Sequence, residues 1–157
     1  PNVETYDQAP KMAASDITNI IAKVVNANSH DVLIVNYANA DMVGHTGNFA
    51  ATVKAIEFLD QQFGKIIELC NLNNVDLVVT ADHGNAEAMI DDHGKKITKH
   101  SCNPVPFWLY STMFDAKIYK LCHGGLQDVA PTLLQMLNIA PPKKMTGSSL
   151  IVSKPMR

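Results

Sequence analysis

The chain has 157 residues, of which 46% are hydrophobic and 18% are charged, so its composition excludes a disordered chain. Thirteen basic and fifteen acidic residues give a net charge of −2, which disfavours nucleic-acid binding because that class needs a basic surface. Arg157 is the only arginine, so a bidentate clamp for an anionic substrate would come mostly from elsewhere. The length predicts a single domain over residues 1–157.

The cysteines and the apolar runs indicate where the protein is found. Three well-separated cysteines without a CxxC spacing predict neither a disulfide framework nor a thiolate zinc site. Free thiols are typical of a reducing compartment, so a cytoplasmic location is predicted. No apolar run approaches about 18 residues and no secretory signal opens the chain, so no membrane association is expected. The chain begins with Pro1 instead of Met, which is expected of a fragment or a processed product.

The first half of the chain predicts a helix, a strand and a second helix. Ser15 is expected to cap a helix over residues 15–28, whose isoleucines and valines share one face. The apolar run Val32–Val35 predicts a strand buried on both faces, as in a parallel sheet. A polar stretch follows, and helical periodicity then runs over residues 53–69.

The second half predicts two strands and a helix. Residues 75–80 (VDLVVT) form a second buried strand, which a polar loop follows. Residues 105–110 (VPFWLY) form a third strand, whose prolines place its start at an edge or a bend. Residues 128–137 form a helix with Pro131 in its first turn. This order of elements predicts an α/β fold with a mainly parallel sheet flanked by helices.

The unusual polar residues lie in loops beside the predicted strands, where α/β proteins hold their ligands. Asp41 and His45, in NYANADMVGHTG, have the i, i+4 spacing that puts two side chains on one face of a helical turn. Asp82 and His83, in TADHGNAE, are adjacent, so their side chains are expected to diverge towards two sites, and His100 precedes the third strand. Each residue alone fits a helix cap or a solvated side chain. Their shared position indicates a metal centre.

The mixture of carboxylates and imidazoles suits Mn²⁺ or Zn²⁺, and it suits Mg²⁺ less because of the imidazoles. Five candidate ligands are too many for one catalytic ion with an open position and too few for two filled sites. We therefore infer a two-metal centre with some ligands outside this chain. Two such ions would stabilise the attacking and leaving oxygens of a displacement at phosphorus.

Five motifs resemble, in order, the C-terminal part of the cofactor-independent phosphoglycerate mutases: NADMVGHTG, VTADHGNAE, HSCNPVPF, DVAPTLLQMLNI and KMTGSSL. TYDQAPKM is similar to the TYDLQPEM segment of that family. The resemblance covers essentially the whole chain. Phosphopentomutases, sulfatases and alkaline phosphatases use metals in a similar way but do not share this ordered set. The resemblance implies an alkaline-phosphatase-like fold that is incomplete at its amino-terminal side.

The resemblance also implies an activity, the interconversion of 3-phosphoglycerate and 2-phosphoglycerate in glycolysis. It implies two divalent ions, with Mn²⁺ preferred over Zn²⁺, Co²⁺ or Mg²⁺, and a transiently phosphorylated serine. By the same resemblance, Asp41, His45 and His100 hold one ion. Asp82 and His83 contribute to the other ion. One ion would orient the phosphate, and the other would lower the pKa of the serine hydroxyl, after which the phosphoserine returns the phosphate to the re-oriented glycerate.

Several parts of that family are not found in this sequence. In the family, an amino-terminal strand carries an Asp and the nucleophilic Ser, and a separate domain carries the Arg cluster that holds the glycerate. The nucleophile therefore lies outside this chain, no catalytic residue is assigned within it, and it is expected to be inactive alone. Asn2 stands where the family commonly has a phosphate-contacting Lys. The full-length family member is expected to be a monomer.

Two other functions are compatible with the sequence. A standalone metallophosphatase would use Thr46 or a metal-bound water as nucleophile, although Thr46 fits a helix-capping hydroxyl better. A non-catalytic module would bind a partner, such as the segments that this sequence lacks. A missing strand would leave a sheet edge and apolar surface open, so self-association of the fragment is expected.

Overall fold

A computed structural model describes residues 1–155, which form two compact units, one over residues 1–110 and one from residue 111 onward. Each unit has its own two-stranded sheet. Arg157 lies outside the described residues. Within residues 1–155, every helix is too short or too polar to cross a membrane.

The first unit begins with a short 3-10 helix, Tyr6–Gln8, and helix α1, Ala14–Ala27. Helix α1 was predicted, and it ends where Asn28 adopts the left-handed conformation with φ 45°. The prediction of its N-cap was wrong, because Ser15 lies inside the first turn of the helix. The Thr18 hydroxyl donates to the carbonyl of Ala14 at 2.9 Å, one turn earlier on this helix.

Helix α2, Asn39–Gly44, lies within the stretch predicted to be a polar loop, and helix α3 spans Phe49–Asn73. The predicted periodic segment lies wholly within α3, so that prediction is confirmed. The helix begins earlier than predicted because Asn48 caps it, its Oδ1 accepting the Ala51 N–H at 3.2 Å.

Two buried clusters fix these helices to one another. Ile21 on α1 packs with Ile66 and Cys70 on α3. Val43 on α2 packs with two alanines of α3 in a separate cluster. At the start of α2, the buried Asn39 donates from Nδ2 to the carbonyls of residues 10 and 11, at 2.8 and 2.9 Å. Helix α2 is therefore held firmly even though it is only six residues long.

The sheet of the first unit pairs β1, Leu77–Thr80, with β2, Phe107–Tyr110. Both strands were predicted, but they run antiparallel, with Leu77 opposite Tyr110. A parallel pair needs a crossover, usually a helix, whereas residues 81–106 contain no helix. The second sheet is also antiparallel, so the predicted mainly parallel sheet is absent from residues 1–155.

The first predicted strand, Val32–Val35, forms no strand in the described chain. Its four side chains are exposed, and that of Ile34 is 85% exposed. The prediction of a buried strand was therefore wrong for these residues. An apolar run can form a strand only where neighbouring backbone pairs with it, and the hydrogen bonds of residues 1–155 give it no such neighbour.

The second unit contains β3, Tyr119–Leu121, a 3-10 helix, Leu126–Asp128, helix α4, Val129–Met136, and β4, Ile151–Ser153. Helix α4 was predicted, with Pro131 in its first turn, whereas β3 and β4 were not predicted. The Asp128 carboxylate accepts the backbone N–H groups of Gly125 and Ser148, both at 2.8 Å, and these bonds lower the pKa of that carboxyl. This one side chain therefore ties the glycine turn to the segment that leads into β4.

Candidate metal centre

Helix α2 presents the first two candidate ligands on one face. Asp41 lies in its first turn and His45 immediately follows its last residue, so one helical turn separates them. The Oδ1 atom of Asp41 is 3.1 Å from Nε2 of His45. The structure therefore brings the two side chains together in the way that their i, i+4 spacing predicts.

His100, from the loop before β2, joins this pair. Its Nε2 atom is 3.0 Å from Nε2 of His45 and 3.3 Å from Oδ1 of Asp41. We call the triangle of these three atoms the donor triangle. An ion bound tetrahedrally at 2.0–2.1 Å from each ligand separates its ligand atoms by about 3.3 Å. The donor triangle therefore has the size that one divalent ion requires.

A hydrogen bond fixes the proton of His45 on the nitrogen away from the donor triangle. Nδ1 of His45 is 2.7 Å from the carbonyl oxygen of Thr98. Because a carbonyl only accepts, Nδ1 carries a proton, so Nε2 is the ring nitrogen that can bind an ion. A ligand histidine commonly donates its second ring nitrogen in this way, which sets the tautomer for metal binding.

His83 lies beside the donor triangle, and Asp82 lies at its margin. The His83 ring stacks on that of His100, with centroids 3.5 Å apart and an interplanar angle of 16°. Asp41, His83 and His100 each offer one ligand atom, and these atoms lie within 4.8 Å of one another. Asp82 is 85% exposed, and its Oδ2 atom is 3.5 Å from Nε2 of His83. The adjacent side chains of residues 82 and 83 thus approach each other and do not diverge as predicted.

The donor set fits a divalent ion. It combines one carboxylate with imidazoles, which suits Mn²⁺, Co²⁺ or Zn²⁺. His83 has a buried Nδ1 atom without a hydrogen-bond partner among residues 1–155. A buried polar atom of this kind is costly unless a ligand or ion satisfies it. The side chains of Asp41, His45 and His100 are partly exposed, so an ion can reach the donor triangle from solvent.

Sequence reasoning did not find the polar residues that surround these candidate ligands. Nδ2 of Asn85 donates to Oδ1 of Asp41 at 2.7 Å. Glu87 accepts from the hydroxyl of Ser101 and, at 3.0 Å, from Nδ2 of Asn103. The Ser101 hydroxyl is the main cause that lowers the pKa of the Glu87 carboxyl, and burial partly opposes it. These residues stand in the same motifs as the candidate ligands, but nothing in one sequence shows which of them meet across loops.

The Thr46 hydroxyl is engaged with the backbone. It donates to the carbonyl of Val43 at 2.6 Å and accepts the N–H of Asn48 at 3.2 Å. These bonds lead from α2 into α3, as the capping interpretation of Thr46 expects. They favour a structural role over that of a nucleophile.

The carboxylate and the imidazoles of the donor triangle are ligand types that divalent-metal sites use. Residues 1–141 match the model of the Metalloenzyme superfamily, and the chain belongs to that family.

Two similar proteins are named 2,3-bisphosphoglycerate-independent phosphoglycerate mutase. The protein of Ehrlichia ruminantium (strain Gardel) is 52% identical over 152 residues, which are 96% of this chain and 30% of that protein. The protein of Antithamnion sp. is 45% identical over 151 residues, again 96% of this chain and 30% of the relative.

The fold is similar to that of the phosphoglycerate mutase of Leishmania mexicana, whose crystal structure was solved at low cobalt concentration. The TM-score is 0.88 with 28% sequence identity, over 98% of this chain and 30% of that one. The resemblance to the cofactor-independent phosphoglycerate mutases is thereby confirmed. The chain spans 30% of the length of each of these three proteins.

Proposed function

We propose that this chain is the metal-binding portion of a 2,3-bisphosphoglycerate-independent phosphoglycerate mutase, which interconverts 3-phosphoglycerate and 2-phosphoglycerate through a phosphoserine. The observation that carries the proposal is the donor triangle, with its edges of 3.0–3.3 Å. The motifs that build the triangle are those that resemble the mutases, and the similar proteins carry that name.

Each candidate ligand has a role in this proposal. Asp41, His45 and His100 would hold one ion, while Asp82 and His83 would contribute to a second ion whose other ligands come from outside this chain. Bound divalent ions would supply positive charge to the phosphate and to the attacking hydroxyl. Mn²⁺ is the ion we prefer. The solved Leishmania mexicana mutase was studied with cobalt, which makes Co²⁺ a suitable probe.

The chain alone is proposed to be inactive. The nucleophilic serine and the arginines that hold the glycerate belong to family segments that this sequence does not contain, and its only arginine is Arg157. Its residues would bind and orient ions, which does not suffice for phosphate transfer without a nucleophile. A single domain over residues 1–157 and a cytoplasmic location stay predictions.

An activity assay tests this proposal. With Mn²⁺ and 3-phosphoglycerate, the chain alone is expected to form no 2-phosphoglycerate above the rate in buffer. Adding the separately expressed remainder of the Ehrlichia ruminantium mutase should restore activity, because that part would supply the nucleophile. His100→Ala should abolish the restored activity, and His30→Ala, at an exposed histidine, should leave it intact. Robust activity of the chain alone, or equal activity of both variants, would contradict the proposal.

The exposed run Val32–Val35 favours a second candidate function, that of a module which associates with other chains. Four consecutive apolar side chains are exposed there, and their backbone pairs with no strand of residues 1–155. Unpaired backbone next to exposed apolar side chains can pair with a strand of another chain. The chain is therefore proposed to self-associate when its natural neighbour is missing.

Sedimentation measures this association. The wild-type chain is expected to form dimers or larger species as its concentration rises. Ile34→Lys should shift it to the monomer, because a charge on this run opposes strand pairing. Leu72→Lys is the matched control, since Leu72 on α3 is also 85% exposed but lies in a helix. A wild-type chain that stays monomeric, or a control as effective as Ile34→Lys, would refute the prediction.

A further inference from the structure

A polar network joins the three loops that carry the candidate ligands. From the loop after β1, Asn85 donates through Nδ2 to Oδ1 of Asp41 at 2.7 Å. Its backbone N–H donates to Oε2 of Glu87 at 2.7 Å. Through Oε1, Glu87 accepts from the hydroxyl of Ser101 and from Nδ2 of Asn103, both in the loop of His100. The network therefore runs from α2, through the loop after β1, to the loop before β2.

Two glycines leave the room that this network needs. A Cβ atom on Gly44 would collide with the amide of Asn85, which is only 5% exposed. A Cβ atom on Gly84 would collide with the Ser101 hydroxyl and the Glu87 carboxylate. The three loops thus approach closely where the network forms.

The backbone reinforces the side-chain contacts between two of these loops. The N–H of Ser101 donates to the carbonyl of Gly84 at 2.8 Å, and these two residues form an isolated β-bridge. Each residue of the bridge is next to a candidate ligand, since His83 precedes Gly84 and His100 precedes Ser101. The stacked rings of His83 and His100, with centroids 3.5 Å apart, lie beside this junction.

Glu87 has the chemistry of a fixed acceptor. Hydrogen bonds from the Ser101 hydroxyl, the Asn103 amide and the Asn85 backbone all lower the pKa of its carboxyl, so it is ionised at neutral pH. Hydrogen bonds to an ionised carboxylate are stronger than hydrogen bonds to a neutral acceptor. Glu87 does not belong to the group of possible ligands that Asp41, His83 and His100 form.

We propose that Asn85 and Glu87 are positioning residues for the metal centre: Asn85 orients the carboxylate of Asp41, and Glu87 fixes the loop of His83 against the loop of His100. This inference rests on the proposed function, since it takes the donor triangle as an ion site. It adds two residues that hold the ligands without touching the ion. Loss of such an outer partner typically weakens metal binding by about 10–100-fold.

Co²⁺ binding to the 157-residue chain, measured by calorimetry and by visible absorption, tests the proposal. Glu87→Ala and Asn85→Ala should each weaken Co²⁺ binding by about 10–100-fold. They should also change the visible spectrum, because the ligands would surround the ion differently, while the far-ultraviolet circular dichroism stays the same. Glu68→Ala, at an exposed glutamate of α3, is the matched control and should bind like wild type.

A double variant tests whether Glu87 acts through Ser101. Ser101→Ala combined with Glu87→Ala should bind Co²⁺ no more weakly than Glu87→Ala alone, because both changes break the same contact. If Glu87→Ala does not fold, Glu87→Gln replaces it. Glu87→Gln keeps one acceptor oxygen but turns a donor towards the N–H of Asn85, so a smaller loss of affinity is expected.

Amide hydrogen exchange without metal separates this inference from the proposed function. In Glu87→Ala, the N–H groups of Ser101 and Asn85 should exchange faster, while that of Ile66 in the core stays as slow as in wild type. Wild-type Co²⁺ affinity in both alanine variants would overturn the inference and leave the metal centre standing. If the wild-type chain binds no Co²⁺, the metal centre fails. Exchange of the Ser101 N–H in Glu87→Ala at the wild-type rate would contradict the role of Glu87 in holding the two loops together, whether or not the chain binds Co²⁺.

Discussion

Asp41→Ala is expected to weaken the binding of Co²⁺ to this chain by more than about 100-fold, beyond the usual cost of losing an outer partner. Asp41 supplies the only carboxylate of the donor triangle, at 3.1 and 3.3 Å from the two imidazole nitrogens. Without it, the donor triangle would keep only its two imidazole nitrogens and would lose its carboxylate. The amide of Asn85 would also lose the oxygen to which it donates at 2.7 Å. Isothermal titration calorimetry measures the loss.

Two further variants show whether the loss of affinity comes from the negative charge of Asp41, from its shape, or from the removal of any surface carboxylate. Asp41→Asn keeps the shape and one acceptor oxygen but removes the negative charge, so its affinity should fall between those of wild type and Asp41→Ala. Asp60→Ala removes an exposed carboxylate from α3 and should bind Co²⁺ like wild type. Wild-type affinity in Asp41→Ala would show that the donor triangle is not the ion site.

Helices α1, α3 and α4 and the pairing of Asp41 with His45 could be predicted because they depend on short-range patterns. The 3.6-residue period of apolar side chains located α3, which the structure extends to Phe49–Asn73. The i, i+4 spacing of Asp41 and His45 placed both on one face, and their atoms are 3.1 Å apart. In both cases, the backbone of one helix decides the outcome.

The sheet could not be predicted because strand pairing depends on distant partners. The run Val32–Val35 has the composition of a buried strand, yet its side chains are exposed and its backbone pairs with no strand of residues 1–155. Composition records that a segment is suited to burial on both faces but not which neighbour covers it. The strands themselves do not encode the direction of β1 against β2, whereas the polar loop predicted between them, without a helix, favours the antiparallel pairing that the structure has.

The surroundings of the candidate ligands escaped prediction for a related reason. The bond between Asn85 and Asp41 joins residues 44 positions apart, and the one between Glu87 and Ser101 joins two loops. Asn and Glu are common loop residues, so their types alone do not mark them. The residue types and their spacing allow candidate ligands to be predicted. The contacts that orient those ligands cannot be predicted in this way because they depend on how the loops meet.

Ile66→Ala is expected to lower the free energy of unfolding by about 2–5 kcal/mol. Ile66 is 5% exposed and packs with Ile21 and Cys70, so the change leaves a cavity between α1 and α3. Leu72→Ala, at an 85% exposed position of the same helix, should change stability by less than about 0.5 kcal/mol. Urea unfolding of the metal-free chain, followed by circular dichroism, compares the two variants.

Ile66→Ala also tests whether Co²⁺ binding at the donor triangle depends on the stability of the α1–α3 contact. Helix α2 is supported by the cluster of Val43 with Ala51 and Ala55, which shares no buried residue with the cluster of Ile66. Ile66→Ala should therefore bind Co²⁺ with wild-type affinity under conditions where it remains folded. A stability loss as small as that of Leu72→Ala would show that this cluster does not hold α1 to α3. A loss of Co²⁺ affinity in the folded variant would show that the two clusters act as one.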